Sequence, residues 1–312
     1  LKFGDTDSNA DAQIIYDHDG RNLRIEAAGA ERMRIDANSK ISLSNNDGDN
    51  TGNTIFGKSA WNQASNDGSD YNTLFGEGIM GTGSVSGAAY NTVIGMNAVQ
   101  NITTGDMNCA MGQAAGQALT TGANNVFLGR IAGATLTTSG NNTLVGYGSG
   151  TAIAAGQTTT DGTTAVGYNS LAALTTGARN IAVGAYGLDA LTVGDDNLAI
   201  GYNAMGGLST IDGSDKNIAI GTYAMDDVGG LAATQNIFIG YDSGGGSWTG
   251  TLSEKNVAIG NYTMDDVMND ADQNVAIGHN ALSSLTTGSG SVCIGAYAGD
   301  AIVDVDSMVC IG

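Results

Sequence analysis

Asn274-Val275-Ala276-Ile277-Gly278 is one copy of a five-residue unit, Asn-x-x-apolar-Gly, that returns along most of the 312-residue chain. Asn142-Thr143-Leu144-Val145-Gly146 and Asn197-Leu198-Ala199-Ile200-Gly201 are two others. Aligned on the last glycine, the copies end at Gly57, Gly76, Gly95, Gly112, Gly129, Gly146, Gly167, Gly184, Gly201, Gly221, Gly240, Gly260, Gly278, Gly295 and Gly312, which makes 15. Seven of the 14 intervals are 17 residues and the rest run from 18 to 21. Self-similarity at a near-constant period is the signature of a repeat architecture, in which each unit buries its apolar face against the next.

The columns of this alignment predict a strand. The residue before each glycine is Phe, Ile, Leu, Val or Met in all 15 copies, and the residue three before it is β-branched in 13. That alternation is a strand with one buried face. The residue between them should then be polar, yet it is apolar in every copy. A strand apolar on both faces needs two cores. One is expected inside its own coil and the other in a neighbouring subunit. The expected subunit interface is therefore the middle column: Leu144, Ala182, Ala199, Ala219, Phe238, Ala258, Ala276 and Cys293.

The rest of the unit fits a coil. Seven residues after the glycine, every 17-residue interval carries Leu or Ile: Ile102, Leu119, Leu136, Leu174, Leu191, Leu285 and Ile302. Longer intervals insert just before the next Asn, at one solvent-facing corner, as in Asp212-Gly213-Ser214-Asp215-Lys216. The residue four before the glycine is Asn in 12 copies: Asn53, Asn72, Asn91, Asn108, Asn125, Asn142, Asn180, Asn197, Asn217, Asn236, Asn256 and Asn274. Stacked Asn side chains hydrogen-bond from coil to coil. The glycines, Gly57, Gly146, Gly201 and Gly278 among them, suit a corner conformation closed to residues with a Cβ. At about 4.8 Å per coil, the stack is a rod of roughly 67 Å.

Composition narrows the function. Lys plus Arg is 11 and Asp plus Glu is 31, a formal charge of −20, which repels nucleic-acid phosphates and anionic membranes. No apolar run approaches the length of a membrane span, and no signal peptide is visible at Leu1, so the chain reads as a fragment or a processed product. Glycine is 49 of 312 and proline is zero, without the every-third-residue glycine of collagen. Residues 1–50 differ from 51–312. They hold six of the 11 basic residues, with alternating strands expected at 22–26, 31–36 and 40–43, a tight turn at His18-Asp19-Gly20, and buried faces built by Leu23/Ile25, Met33/Ile35 and Ile41/Leu43. This part reads as a β-rich stem or connector.

Leu1-Lys2-Phe3-Gly4-Asp5, with Ile15-Tyr16-Asp17-His18-Asp19-Gly20 and Glu31-Arg32-Met33-Arg34-Ile35-Asp36, resembles a module of bacteriophage tail-fibre proteins. Gly278-His279-Asn280-Ala281-Leu282-Ser283-Ser284-Leu285-Thr286-Thr287-Gly288 is similar to the glycine- and asparagine-rich repeats of the same fibres. More loosely, the Asn-Val-Ala-Ile-Gly unit resembles the head repeats of trimeric autotransporter adhesins. The resemblance implies a homotrimeric β-structured fibre that reaches or binds a host surface.

Other motifs carry less. Gly52-Asn53-Thr54-Ile55-Phe56-Gly57-Lys58-Ser59 matches a phosphate-binding loop letter for letter, but its Asn53–Gly57 is repeat one and belongs to a strand, whereas a phosphate loop must open a helix. Gly76-Glu77-Gly78-Ile79-Met80-Gly81 matches the dinucleotide fingerprint without a βαβ unit around it. Asp226-Asp227 and Asp265-Asp266 read as solvated edges, with calcium as the alternative. Cys293 and Cys310 share a column and read as packed apolar residues, with a disulfide as the alternative. His279 stands where Tyr147, Tyr168, Tyr202 and Tyr241 stand in other copies. That column reads either as coil-to-coil stacking or as a glycan-stacking stripe.

The expectation is thus an all-β repeat β-solenoid of about 15 coils of 17–21 residues, homotrimeric with a shared core, preceded by a short β-rich stem. No catalytic, metal or cofactor site is assigned. The expected partners are the chain itself and a host surface glycan or protein receptor, with no nucleic acid and no membrane insertion. The expected role is a structural segment of a phage tail fibre, located in the virion. The alternatives are a bacterial trimeric adhesin at the cell surface and, from another class, a tailspike-type polysaccharide depolymerase.

Overall fold

Each Asn-x-x-apolar-Gly unit contributes a three-residue strand, and the strands stack in register. The computed structural model describes residues 2–3, 12–27, 30–35, 41–43, 52–61, 68–80, 85–153, 160–208, 213–229, 231–250 and 253–312. Among them there is no helix. Fifteen strands, from Thr54–Phe56 to Val309–Ile311, form one parallel sheet in which sheet order follows chain order. Like positions pair: Ile181 with Leu198, Ala182 with Ala199 and Val183 with Ile200. A second, two-stranded parallel sheet joins Ala233–Thr234 to Ser253–Glu254 within two of the longer coils. The solenoid expected from the repeat is the observed fold.

Two ladders hold coil to coil. In the first, the side-chain oxygen of an Asn takes two N–H donors from the Asn of the next coil. Asn217 donates its backbone N–H to Asn197 Oδ1 at 3.1 Å and its Nδ2 to the same oxygen at 3.0 Å. Asn236 repeats both bonds onto Asn217 Oδ1. The remaining Nδ2 proton of Asn217 reaches the Ala233 carbonyl at 2.7 Å, which closes the corner of the coil. All 12 sequence-predicted Asn are buried in such runs, from Asn53 to Asn142 and from Asn180 to Asn274. Thr163 and Ser291 end the runs, each donating only its backbone N–H to the Asn below. A buried amide left without partners costs about 1–3 kcal/mol per group, so the ladder fixes what stands at this corner.

The second ladder is the glycine column. Gly57, Gly146, Gly201 and Gly278 have φ of +136°, +132°, +141° and +133°. A Cβ on any of them would strike the carbonyl oxygen of the glycine in the next coil. Glycine is therefore required twice over, by backbone angle and by the closeness of the stack.

The direction of the middle column corrects the sequence reading. Leu144, Ala182, Ala199, Ala219, Phe238, Ala258, Ala276 and Cys293 are buried within the chain's own coil, each 0% exposed. They are not a subunit interface. The flanking columns point outward instead, as with Ile200, 38% exposed, and Val183. The physical reason is volume. The coil interior also receives the Leu or Ile seven residues after the glycine, such as Leu119, Leu174 and Leu285, all buried. Two β-branched side chains per strand would overfill so thin a core.

Within that core, from the coil at Gly129 onward, the middle column is matched to the residue four after the glycine, whereas earlier coils pair Leu74 with Met80 and Ala110 with Gly116. Where the middle residue is Ala182, Ala199, Ala219, Ala258 or Ala276, the fourth residue is Leu188, Met205, Met225, Met264 or Leu282, all buried. Where the middle residue is Phe127, Leu144 or Phe238, it is Gly133, Gly150 or Gly244, and a Cβ there would overlap that large side chain. Trp248 completes the packing around Phe238, with ring centroids 5.8 Å apart and its Nε1 donated to the Gly244 carbonyl.

The N-terminal region forms its own five-stranded antiparallel sheet, in chain order, from Lys2–Phe3, Ala12–Asp17, Asn22–Ala27, Ala30–Ile35 and Ile41–Leu43. The turn at 18–20 joins Ala12–Asp17 to Asn22–Ala27 as expected. Asp17 Oδ1 accepts the Gly20 and Asp19 N–H groups, which holds its carboxyl below the ordinary value. The expected strand ends at Asp36 and Lys40, and the side chains of Ile41 and Leu43, lie outside the described residues. Leu23 and Ile25 are not buried as expected but 38% exposed, on one face with Ile14 and Tyr16. Arg24 pairs with Glu26 and Glu31, and Arg34 with Glu31.

The volume match makes a stability prediction. Ala219→Phe alone is expected to destabilise the chain by about 1–3 kcal/mol through overpacking. Adding Met225→Gly, which recreates the Phe238–Gly244 pair, is expected to recover most of that loss in chemical denaturation. Equal destabilisation of both variants would contradict the arrangement.

Candidate binding surfaces

The first surface is the outer face of the long sheet. Two residues of each strand point outward, so the face carries 30 positions in two columns. Every one is Thr, Cys, Val, Leu, Ile, Met or Phe, and none is charged, in a chain of charge −20. Ile94, Met111, Ile181, Val183, Ile259 and Ile294 all stand exposed on it. Phe56 and Phe75 stack on one another there, centroids 4.9 Å apart. A strip of this kind, long and without charge, is a candidate interaction face.

The second surface starts at the corner just beyond the strand. Nine rings from Tyr147 to Tyr297 run as one file, each touching the next, with centroid separations from 5.3 to 6.1 Å. Tyr147 and Tyr168 stack nearly parallel, at 11°. From Tyr168 onward each ring stands edge-on to its neighbour, at 68° to 90°. Such edge-to-face pairs are favourable at these distances. The side chain of Arg130 lies over the Tyr147 ring, 5.5 Å from its centroid, and donates to Gln113.

The file is built from two alternating positions, and this is what the sequence reading missed. Tyr168, Tyr202, Tyr241 and His279 follow the glycine directly, whereas Tyr186, Tyr223, Tyr262 and Tyr297 stand one residue later. A single column catches only every second ring. The signal is in the sequence: from Gly146 to Gly295, wherever the first position lacks a ring, the second supplies one. The second position is left-handed in both cases. Tyr186, Tyr223, Tyr262 and Tyr297 have φ from 56° to 60°, beside Asn169, Asn203, Asp242 and Asn280 at 51° to 56°. Asn and Asp tolerate that region well, whereas an aromatic residue held there carries backbone strain of order 1–3 kcal/mol.

Carboxylates line the same edge. Asp226 accepts Asn203 Nδ2 at 3.3 Å. Burial pushes its carboxyl up to about 6, with Asp242 and Asp227 adding to the shift against the Asn203 hydrogen bond. Asp265 is likewise pushed up to about 6 by burial, helped by Asp242 and Asp266. Burial also raises Asp242. Tyr262, Asp265, Asp266, His279, Asn280, Ser283 and Ser284 line a cleft of about 540 Å³. The Asn280 Oδ1 atom is buried without a hydrogen-bond partner. Among the described residues no group of three or more His, Cys, Asp or Glu is placed to hold a metal ion.

The remaining sequence motifs find their places. In the phosphate-loop match, Thr54–Phe56 is strand and Gly57 turns the corner, with no helix after it among the described residues. Gly81 of the dinucleotide match lies outside the described residues. Cys293 and Cys310 are register partners in adjacent strands, and both are free thiols. Among the described residues no helix is long and apolar enough to cross a membrane. Comparison of the chain with protein-family models, curated proteins and solved structures finds no match.

The raised carboxyls set a pH dependence. A group whose folded pKa exceeds its unfolded value stabilises most below the unfolded pKa. For Asp226 and Asp265 that contribution is full below about 3.8 and is lost as pH rises to about 6. Relative to the parent, an Asp226→Asn/Asp265→Asn variant is expected to gain thermal stability between pH 4 and 7 and to show a flatter profile. Parallel profiles for the two proteins would contradict this.

Proposed function

We propose that this chain is a rod segment of an extracellular attachment fibre, homotrimeric, of the kind that phage tail fibres use to project toward or grip a host cell. The observation that carries this reading is the uncharged outer face of the sheet. Thirty outward positions without one charge are costly to leave in water along a stack of about 67 Å at 4.8 Å per coil. Other copies of the same rod are the natural cover. Cyclic symmetry keeps the rods parallel, so each coil meets its own counterparts and Val or Ile packs on Val or Ile. The resemblance to tail fibres and adhesin heads sets the number at three.

The rod's construction suits a mechanical role. Backbone and side-chain ladders run along its axis, so every coil adds hydrogen bonds to the one before it. Its acidic charge keeps separate rods apart and turns nucleic acid away. On this reading the N-terminal antiparallel sheet is a connector, its exposed Ile14, Tyr16, Leu23 and Ile25 supplying the contact face. Three copies would multiply weak contacts with a surface.

Light scattering on the purified chain tests this. The expected mass is about 94 kDa, three times 31.3 kDa. Ile200→Asp/Ile220→Asp, which places charges on the outer columns, is expected to give monomers that keep their β circular dichroism. A parent protein that runs as a 31.3 kDa monomer would overturn the reading.

A further inference from the structure

We infer that the aromatic file is a binding platform for an extended, uncharged, β-linked polysaccharide, with the neighbouring carboxylates as acceptors for its hydroxyls. The inference names a ligand for the attachment role proposed above and rests on that reading only for its setting; the surface itself belongs to each chain.

Three observations point the same way. The first is that the rings are kept in file. Tyr186, Tyr223, Tyr262 and Tyr297 occupy left-handed backbone positions that Asn or Asp fill in the alternate coils and that Ala114 and Ile131 fill in earlier ones. Coil stacking does not demand a ring there, because coils before Gly146 stack without one at either position. The second is exposure. Tyr168 and Tyr202 are each 46% exposed and Tyr241 is 42%, so ring surface is left for a ligand. Aromatic faces take the C–H faces of sugar rings by the same dispersion and C–H contacts that stack aromatic side chains.

The third is period. Rings at the same position recur every second coil, about 9.6 Å along the rod at 4.8 Å per coil. An extended β-linked glycan with a two-fold screw also presents the same face at every second sugar. Over the length of a hexasaccharide, such a polymer laid along the file meets equivalent rings at successive repeats. Beside them, Asp226, Asp242 and Asp265 stand on successive coils as acceptors for hydroxyl donors. Where the file passes His279, the cleft adds Asn280, whose buried Oδ1 has no partner within the chain. The acidic row and the charge of −20 turn anionic glycans away.

Calorimetry on the full chain with cellohexaose tests this, with cellobiose and an alginate oligomer beside it. The hexasaccharide is expected to bind at least tenfold more tightly than the disaccharide, and alginate not to bind. Tyr202→Ala/Tyr241→Ala is expected to lose at least tenfold in affinity, whereas Tyr202→Phe/Tyr241→Phe, which keeps the ring faces, retains it. Absence of hexasaccharide binding, equal binding of the disaccharide, or unchanged affinity in the alanine variant would overturn the inference. So would a fall in the mass of the alanine variant by light scattering, which would make the file a subunit contact. A parent chain that binds cellohexaose as a monomer would sustain the inference while removing the trimer.

Discussion

One side-chain oxygen per coil organises this molecule. Within a run, a ladder Asn sets its Oδ1 where the Asn of the next coil delivers two N–H groups, and turns its own amide back to close the corner. The bond is possible only if successive corners sit one strand spacing apart, and the glycine column makes that approach feasible by leaving no Cβ between the coils. Everything else follows from those two constraints. The coil is short because the corners repeat every 17 residues or a few more. It is thin because it is short. Its interior therefore admits small residues on one wall and large ones on the other, position by position.

The thinness explains where the apolar surface goes. A β-strand of Ile-Ala-Val offers two apolar faces, and a coil with room for only one of them must turn the other outward. The same packing limit that buries Ala182 exposes Ile181 and Val183. The outer columns are in that sense a product of the core. The corner beyond the glycine is under a different constraint. Its left-handed second position admits Asn readily and Tyr at some cost, and the alternation of the two gives the coils from Gly146 to Gly295 a continuous aromatic edge.

Much of this is legible in the sequence, and what is not has a physical reason. The Asn and Gly columns, the buried Leu or Ile seven residues on, and the parallel stack all follow from the period, because a solenoid places like residues over like. The inward direction of the middle column is not legible from the strand, because alternation identifies two faces without saying which is inside. Side-chain volume decides that, and the signal lay in the pairing of Ala219 with Met225 and of Phe238 with Gly244 rather than in the strand alone. The aromatic file was half visible, since a search by columns separates Tyr202 from Tyr223 although their rings are in contact. In the N-terminal sheet, alternation located the strands but not what covers Leu23 and Ile25.

The central claim is that the small middle residue faces the coil interior and its large neighbour faces out. Thiol accessibility tests it most directly, in a background with Cys109, Cys293 and Cys310 replaced by alanine. A cysteine at position 199 in place of Ala199 is predicted to resist a polar maleimide until the chain unfolds. One at position 200 in place of Ile200 is predicted to react readily in the folded, dissociated chain. Rapid labelling at position 199 together with protection at 200 in the dissociated chain would contradict the account.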